Sequence, residues 1–183
     1  VIPLVFVLHG TTPLLMHNWR NTMKTEEERQ QVRSRRVSEI PTTQEEAKIS
    51  AYFLPDGNLA FPATGVRNAM LRGAATFRIG RRGATPVFAS NIIVADSLFP
   101  LIDDDGQPLN TYEVDVQRVM VQRAGVLRGR PRLDRWNLVC TFSFIADSLT
   151  DRQIRQALIE AGRTVGIGDY RPEKKGWYGR FTV

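Results

Sequence analysis

The chain has 183 residues, of which 42% are hydrophobic and 24% are charged, a composition typical of a globular protein with a buried core. No apolar run approaches the roughly 20 residues of a membrane-spanning helix, and the apolar residues 1–8 lack the flanking features of a signal peptide. The single cysteine, Cys140, excludes a disulfide or thiolate cluster within this sequence. We therefore expect one domain, residues 1–183, in the cytoplasm (the host cytoplasm if viral), with no cofactor, metal or membrane partner.

Arginine dominates the charge. The net charge is +6, and 21 of the 25 basic residues are arginines. Because the planar guanidinium grips phosphate and stacks on bases, this bias favours nucleic acid as the partner. A GC-rich genome, which favours arginine codons, would give the same bias, so the placement of the arginines has to decide between the two.

The first half of the chain predicts a buried strand, a polar insertion and a helix. Residues 1–8 are continuously apolar and indicate a central strand. Residues 21–43 have almost no apolar face and indicate a solvated helix or an insertion. Thr43 and Glu46 have the spacing of a capping box, which predicts a short helix to about Tyr52. After Pro62, apolar residues at helical spacing predict a helix to about Phe77.

The second half predicts strands at 87–98, 112–121 and 135–145, a helix from about Asp151, a glycine-rich loop at 166–180 and a last strand at 180–183. In the third of these strands Trp136, Leu138 and Cys140 share one face, which predicts that they are buried. The order matches an α+β, ferredoxin-like (βαββαβ) domain, similar to RNA-recognition domains, with long insertions and a basic β-hairpin arm.

The basic arm, residues 118–135, contains six arginines and a single acid, Asp134. Its glycines and proline leave no apolar face, so we expect a projecting hairpin that binds a phosphate backbone. Pairing of these arginines with acids elsewhere is the alternative. The arginines are Arg118, Arg123, Arg128, Arg130, Arg132 and Arg135.

The glycine-rich loop combines glycines, cations and aromatic rings. Glycines let the backbone approach a ligand, cations bind phosphate and aromatic rings stack on bases. A helix C-cap followed by a turn, with Trp177 and Phe181 in the core, is the alternative. The predicted binding residues here are Tyr170, Arg171, Lys174, Lys175, Trp177, Tyr178 and Arg180.

The two histidines, His9 and His17, have no neighbour in the sequence that marks a metal site or a catalytic triad. His17 is the candidate for an acid or base, with a capping role as the alternative. We therefore expect no catalytic residue, and keep His17 as the catalytic alternative.

Three short stretches resemble the CRISPR-associated RAMP superfamily: residues 10–15, the helix start at residues 62–72, and the glycine-rich residues 166–181. That resemblance implies ferredoxin-like subunits lying side by side along an RNA and gripping it with a hairpin. It adds Arg67, at the position of the family's usual lysine, to the binding residues. Residues 14–18 and 168–172 are also similar to bacteriophage proteins of comparable length.

From these observations we expect a non-catalytic protein that coats single-stranded DNA or RNA as a repeating homo-oligomer, a filament or a ring. Two alternatives stay open. One is a RAMP-type RNA endonuclease that uses His17. The other is a structural or adaptor protein of a phage.

Overall fold

The structure is a computed structural model that describes residues 1–18, 42–121 and 124–183, without the side chains of residues 119–126. Of the predicted insertion at 21–43, positions 21–41 therefore lie outside the described residues. Arg123 lies outside them too. The described chain is mixed α+β, with four α-helices and antiparallel sheets. None of its helices is long and apolar enough to cross a membrane.

The strands in chain order are β1 (Ile2–Gly10), β2 (Leu14–Leu15), β3 (Ala60–Pro62), β4 (Arg78–Ile79), β5 (Arg82–Gly83), β6 (Ile92–Ile93), β7 (Leu98–Ile102), β8 (Glu113–Val121), β9 (Ala124–Leu133), β10 (Asn137–Phe144) and β11 (Phe181–Thr182). The helices are α1 (Thr43–Ser50), α2 (Ala63–Ala74), α3 (Ala84–Asn91) and α4 (Asp151–Glu160). A π-helical turn, Ala161–Val165, continues α4, and a 3-10 turn, Pro172–Lys174, lies inside the glycine-rich loop.

The central sheet has the strand order β11-β1-β10-β7-β3, with β6 added beside β10. All of its pairings are antiparallel. The apolar residues predicted as the first strand form β1, which pairs with β10 along its whole length, from Ile2 opposite Phe144 to His9 opposite Asn137. The predicted last strand is β11, which pairs with the end of β1.

The core lies between this sheet and the helices α2 and α4. The predicted inner face of β10 is confirmed, because Trp136, Leu138 and Cys140 are all buried. The two helices approach so closely that a Cβ on Gly73 would overlap the carbonyl oxygen of Ala157. Glycine at this position lets the two backbones touch, which fixes α2 against α4.

The strand predicted at 87–98 is wrong over its first half, which is helix α3. The β-branched residues around Val87 favour a strand, but Pro86 is tolerated in the first turn of a helix. Phe88 is fully buried, with its ring edge-to-face against Phe77. Packing against the core has overridden the local preference.

The predicted basic arm is the hairpin of β8 and β9, paired from Glu113 opposite Arg132 to Val121 opposite Ala124. It does not project freely as expected. The strand β2 adds to β9 and makes a three-stranded sheet. Helix α1 lies so close to the hairpin that a Cβ on Gly129 would overlap the backbone of Thr43.

Candidate functional site

A cleft of about 350 Å³ separates the start of α2 from the glycine-rich loop. The segment before the insertion and the segment after α1 also contribute residues to its lining. Residues that line it include His17, Tyr52, Thr64, Asn68, Arg72 and Asp169.

Helix α2 points its N-terminus at this cleft. Pro62 precedes it and gives no side-chain cap. The first N–H groups of a helix have no acceptor within the helix, and the helix dipole is positive at this end. Thr64 and Gly65, both in the first turn, line the cleft. This wall of the cleft therefore favours an anion or the oxygen atoms of a ligand.

The glycine-rich loop forms the opposite wall and is fixed by backbone hydrogen bonds to the segment that contains β2. The N–H of Asp169 donates to the carbonyl of Leu15 at 2.9 Å, and the N–H of Gly179 donates to that of Pro13 at 2.8 Å. Gly168 has φ +82°, and a Cβ there would overlap Leu15. Tyr170 has φ +48°, a left-handed conformation that non-glycine residues seldom adopt and that clusters at functional sites.

A chain of charged groups runs from the cleft to the hairpin. Asp169 Oδ2 lies 3.8 Å from Nδ1 of His17 and 3.1 Å from Nε of Arg130. Arg130 lies 3.7 Å from Glu46, whose carboxylate accepts a hydrogen bond from Arg128 at 2.8 Å. The network joins the loop, the hairpin and α1.

The pKa of His17 is lowered, first by burial and then by the positive charge of Arg130, although Asp169 opposes the shift. His17 is therefore a neutral imidazole at neutral pH. A neutral ring in a cleft can accept a proton or a hydrogen bond from a ligand.

Two arginines and the carboxylate of Glu173 form a second charged group in the lining of the cleft. Glu173 forms ion pairs with both Arg72 and Arg171, the latter at 2.8 Å. Arg171 also donates to the carbonyl of Gly168 at 3.0 Å. Asp169 lines the cleft as well, so the lining holds two arginines and two carboxylates.

An aromatic pair lies in the loop, beside the hairpin. Trp177 is 54% exposed, and its ring centroid is 4.3 Å from that of Tyr178, with 32° between the ring planes. Tyr178 is buried, which raises the pKa of its hydroxyl, and it is close to Gln117 and Arg132 of the hairpin. Tyr178 therefore packs against Trp177 and supports its ring. The sequence analysis predicted that Tyr178 itself stacks on a base, but its buried ring offers no free face.

Some of the other predicted binding residues are exposed, and others form hydrogen bonds or ion pairs within the protein. Arg118, Arg135, Lys174 and Lys175 are exposed, and Tyr170 is partly buried. Arg67 donates to the carbonyl of Ala89 at 2.7 Å, away from the cleft lining, and Arg180 donates to that of Arg163. Three arm arginines are held by carboxylates: Arg128 by Glu46, Arg130 by Asp169 and Glu46, and Arg132 by Asp134 at 2.6 Å.

Sequence reasoning missed the polar face of α2 and the carboxylates that hold the hairpin. Thr64, Asn68 and Arg72 are spaced four residues apart, so they form one stripe along the helix, opposite its apolar face. That spacing was the available signal. Nothing in the sequence marks Asp169 as the partner of Arg130, which lies 39 residues away.

Within the described residues there is no group of three or more His, Cys, Asp or Glu side chains arranged to hold a metal ion. Comparison with known proteins gives no match to any family model and none to a curated protein.

Proposed function

We propose that this protein binds single-stranded nucleic acid without a catalytic step. The observation that carries the proposal is Trp177, a large aromatic ring that is more than half exposed, supported from below by Tyr178 and adjacent to an arginine-bearing hairpin. An exposed, supported ring offers a face to an unpaired base, and such stacking contributes about 1–3 kcal/mol per base. Bases in a duplex are already stacked, so the platform favours a single strand.

The cleft supports the same proposal. The N-terminus of α2 suits a phosphate group, and Arg72 and Arg171 would bind one by exchanging Glu173 for it. Lys174 and Lys175 are exposed in the same loop as Trp177. A strand whose base stacks on Trp177 would bring its phosphates close to these cations.

We also propose that the fold is the ferredoxin-like arrangement of the RAMP superfamily. Helix α2 lies in the chain between β1 and β7, together with α1, α3 and the short strands β2 to β6, and α4 lies between β10 and β11. In each case the sheet order leaves one antiparallel strand between the two connected strands, β10 in the first case and β1 in the second. This is the split βαβ arrangement, made twice. By the same resemblance, copies of the chain would coat a strand side by side.

A binding titration against a 20-nucleotide single-stranded DNA, its RNA equivalent and the corresponding duplex DNA tests the proposal. We expect both single strands to bind more tightly than the duplex, with affinity that falls steeply as salt rises. Unrelated sequences of equal length should bind alike. If the duplex binds as well as the single strands, or if none of the three binds, the proposal is wrong.

A second candidate, an RNA endonuclease, is favoured by one observation: His17 lines the cleft as a neutral imidazole, 3.8 Å from Asp169. It could take a proton from a ribose 2′-hydroxyl as a general base. Incubating the protein with labelled RNA, with His17→Ala as the control, separates the two functions. Cleavage by the wild type that the variant lacks would establish the enzyme, whereas intact RNA with both proteins supports binding alone.

A further inference from the structure

The short hairpin of β4 and β5 carries three arginines within five residues, Arg78, Arg81 and Arg82. Gly80, with φ +59°, makes its two-residue turn. All three arginines are exposed. We name this hairpin, residues 78–83, the arginine turn.

The charge around the arginine turn has no local compensation. Residues 57–95 include five arginines and neither an aspartate nor a glutamate. Arg72 is paired with Glu173, and Arg67 donates to a backbone carbonyl. Of the ion pairs among the described residues, none involves Arg78, Arg81 or Arg82.

The arginines of the β8–β9 hairpin differ from those of the arginine turn in their ion pairs. There, Arg128, Arg130 and Arg132 are each held by a carboxylate, so an incoming phosphate would have to compete for them. Among the described residues, no carboxylate forms an ion pair with the arginines of the turn. Moreover, α3 begins at Ala84, directly after the turn, with no acid in its first turn. The positive end of its dipole therefore adds to the same potential.

We infer that the arginine turn is a second contact site for the phosphodiester backbone of the bound strand. The inference deepens the proposed function and rests on it. Guanidinium groups in a tight turn suit phosphate oxygens, which they bind as planar forks. A protein partner would need an apolar centre at the interface, and the turn offers none, because Ile79 packs against the core.

The position of the turn predicts how long a strand must be to reach it. The cleft extends along α2 from Thr64 to Arg72, and the arginine turn begins four residues after the last residue of the helix, Ala74. Twelve helical residues span about 18 Å at about 1.5 Å each. With one phosphate per roughly 3.4 Å of a stacked strand, a strand whose phosphate lies at the N-terminus of α2 needs some five further nucleotides to reach the turn.

The test compares the wild type with Arg78→Gln/Arg81→Gln/Arg82→Gln on 4-nucleotide and 20-nucleotide single strands, over a range of salt. Arg152→Gln/Arg155→Gln/Arg163→Gln is the matched control, since it removes the same charge from exposed positions on α4 and the turn after it. We expect the arginine-turn variant to lose about tenfold or more in affinity for the 20-mer. The slope of log K plotted against log salt concentration should become shallower by about 2, because three phosphate contacts are lost at about 0.7 each. Its affinity for the 4-mer, which is too short to reach the turn from the N-terminus of α2, should equal that of the control.

Each other outcome overturns the inference. If the variant binds the 20-mer with the affinity and slope of the control, the turn does not contact the strand, although the proposed function stands. If the wild type binds neither strand, the proposed function fails and the inference with it. If the variant loses binding of poly-glutamate as strongly as binding of nucleic acid of equal charge, the turn attracts acidic polymers in general.

Discussion

At the scale of single residues, Trp177 is the side chain whose role can be tested most directly, because it is exposed while its partner Tyr178 is buried. Replacing Trp177 by Ala should weaken binding of a single strand by about 1–3 kcal/mol, the usual contribution of one stacked base. The melting temperature should change little, since the indole lies outside the core. Trp177→Phe is the control: it keeps an aromatic face and should retain most of the affinity. Equal affinities for all three proteins would remove Trp177 from the interface.

The protonation of His17 makes the free energy of unfolding depend on pH. Because the folded pKa of His17 lies below the ordinary histidine value of 6.5, the unfolded chain takes up the proton more readily than the folded one. The contribution of His17 to stability is thus fully present above pH 6.5 and is lost as the pH falls through the folded pKa.

Chemical denaturation between about pH 7.5 and 5.5 should therefore show a larger loss of unfolding free energy for the wild type than for His17→Gln. The difference between the two proteins is the informative quantity, because carboxylates that titrate in both chains cancel in it. Parallel pH profiles would show that His17 is not held neutral by its surroundings.

At the scale of the element, the β8–β9 hairpin is a structural part of the molecule as well as a candidate binding surface. The side chain of Arg130 is only 11% exposed and is bonded to Asp169 and close to Glu46. Replacing it by Gln leaves Asp169 without its main cation and removes the second cation near Glu46, which should cost roughly 1–3 kcal/mol of unfolding free energy. Arg118→Gln, on the same hairpin but exposed, should cost less than about 0.5 kcal/mol. Equal unfolding free energies for the two variants would contradict the structural role of Arg130.

At the scale of the whole molecule, the described residues on either side of positions 19–41 both contact α1; this segment holds the predicted insertion up to position 41, whereas Thr43 belongs to α1. The N–H of Asn18 donates to the carbonyl of Ser50 at 2.9 Å, and the hydroxyl of Thr42 caps the first turn of α1. These two points are separated by the length of α1, about 12 Å for eight residues. Six extended residues span about 20 Å, so a short Gly-Ser linker can replace residues 19–41.

The charges in that insertion, acidic at 26–28 and basic at 33–36, predict head-to-tail contacts between copies on a strand.

 

The shortened chain should fold with an unchanged melting temperature and bind a short oligonucleotide as the wild type does. It should lose cooperativity on a long strand, because each exposed ion pair contributes only about 0–1 kcal/mol and works through repetition. Binding isotherms on a strand of many site lengths measure this directly. Undiminished cooperativity would place the contacts between copies elsewhere on the molecule.

Much of the fold could be predicted because its signals are local. The alternation along β10 and the helical spacing in α2 each report which side of an element faces the core, and both predictions are confirmed. The site could be predicted only in part, because its geometry depends on distant pairs. Arg130 and Glu46 are 84 positions apart, and only the folded chain shows that they meet. Charge counting therefore found the basic hairpin but did not show that carboxylates already hold its arginines.

The contact between Gly73 and Ala157 has a thermodynamic consequence for the cleft. It presses α2 onto α4 backbone to backbone, while Pro13 and Leu15 hold the opposite wall through hydrogen bonds. A site whose two walls are both anchored has little conformational entropy left to lose when a ligand enters, so more of the contact energy remains as affinity. The heat capacity change of binding should then reflect the surface that the ligand itself covers, without the larger signature of a segment that folds on binding.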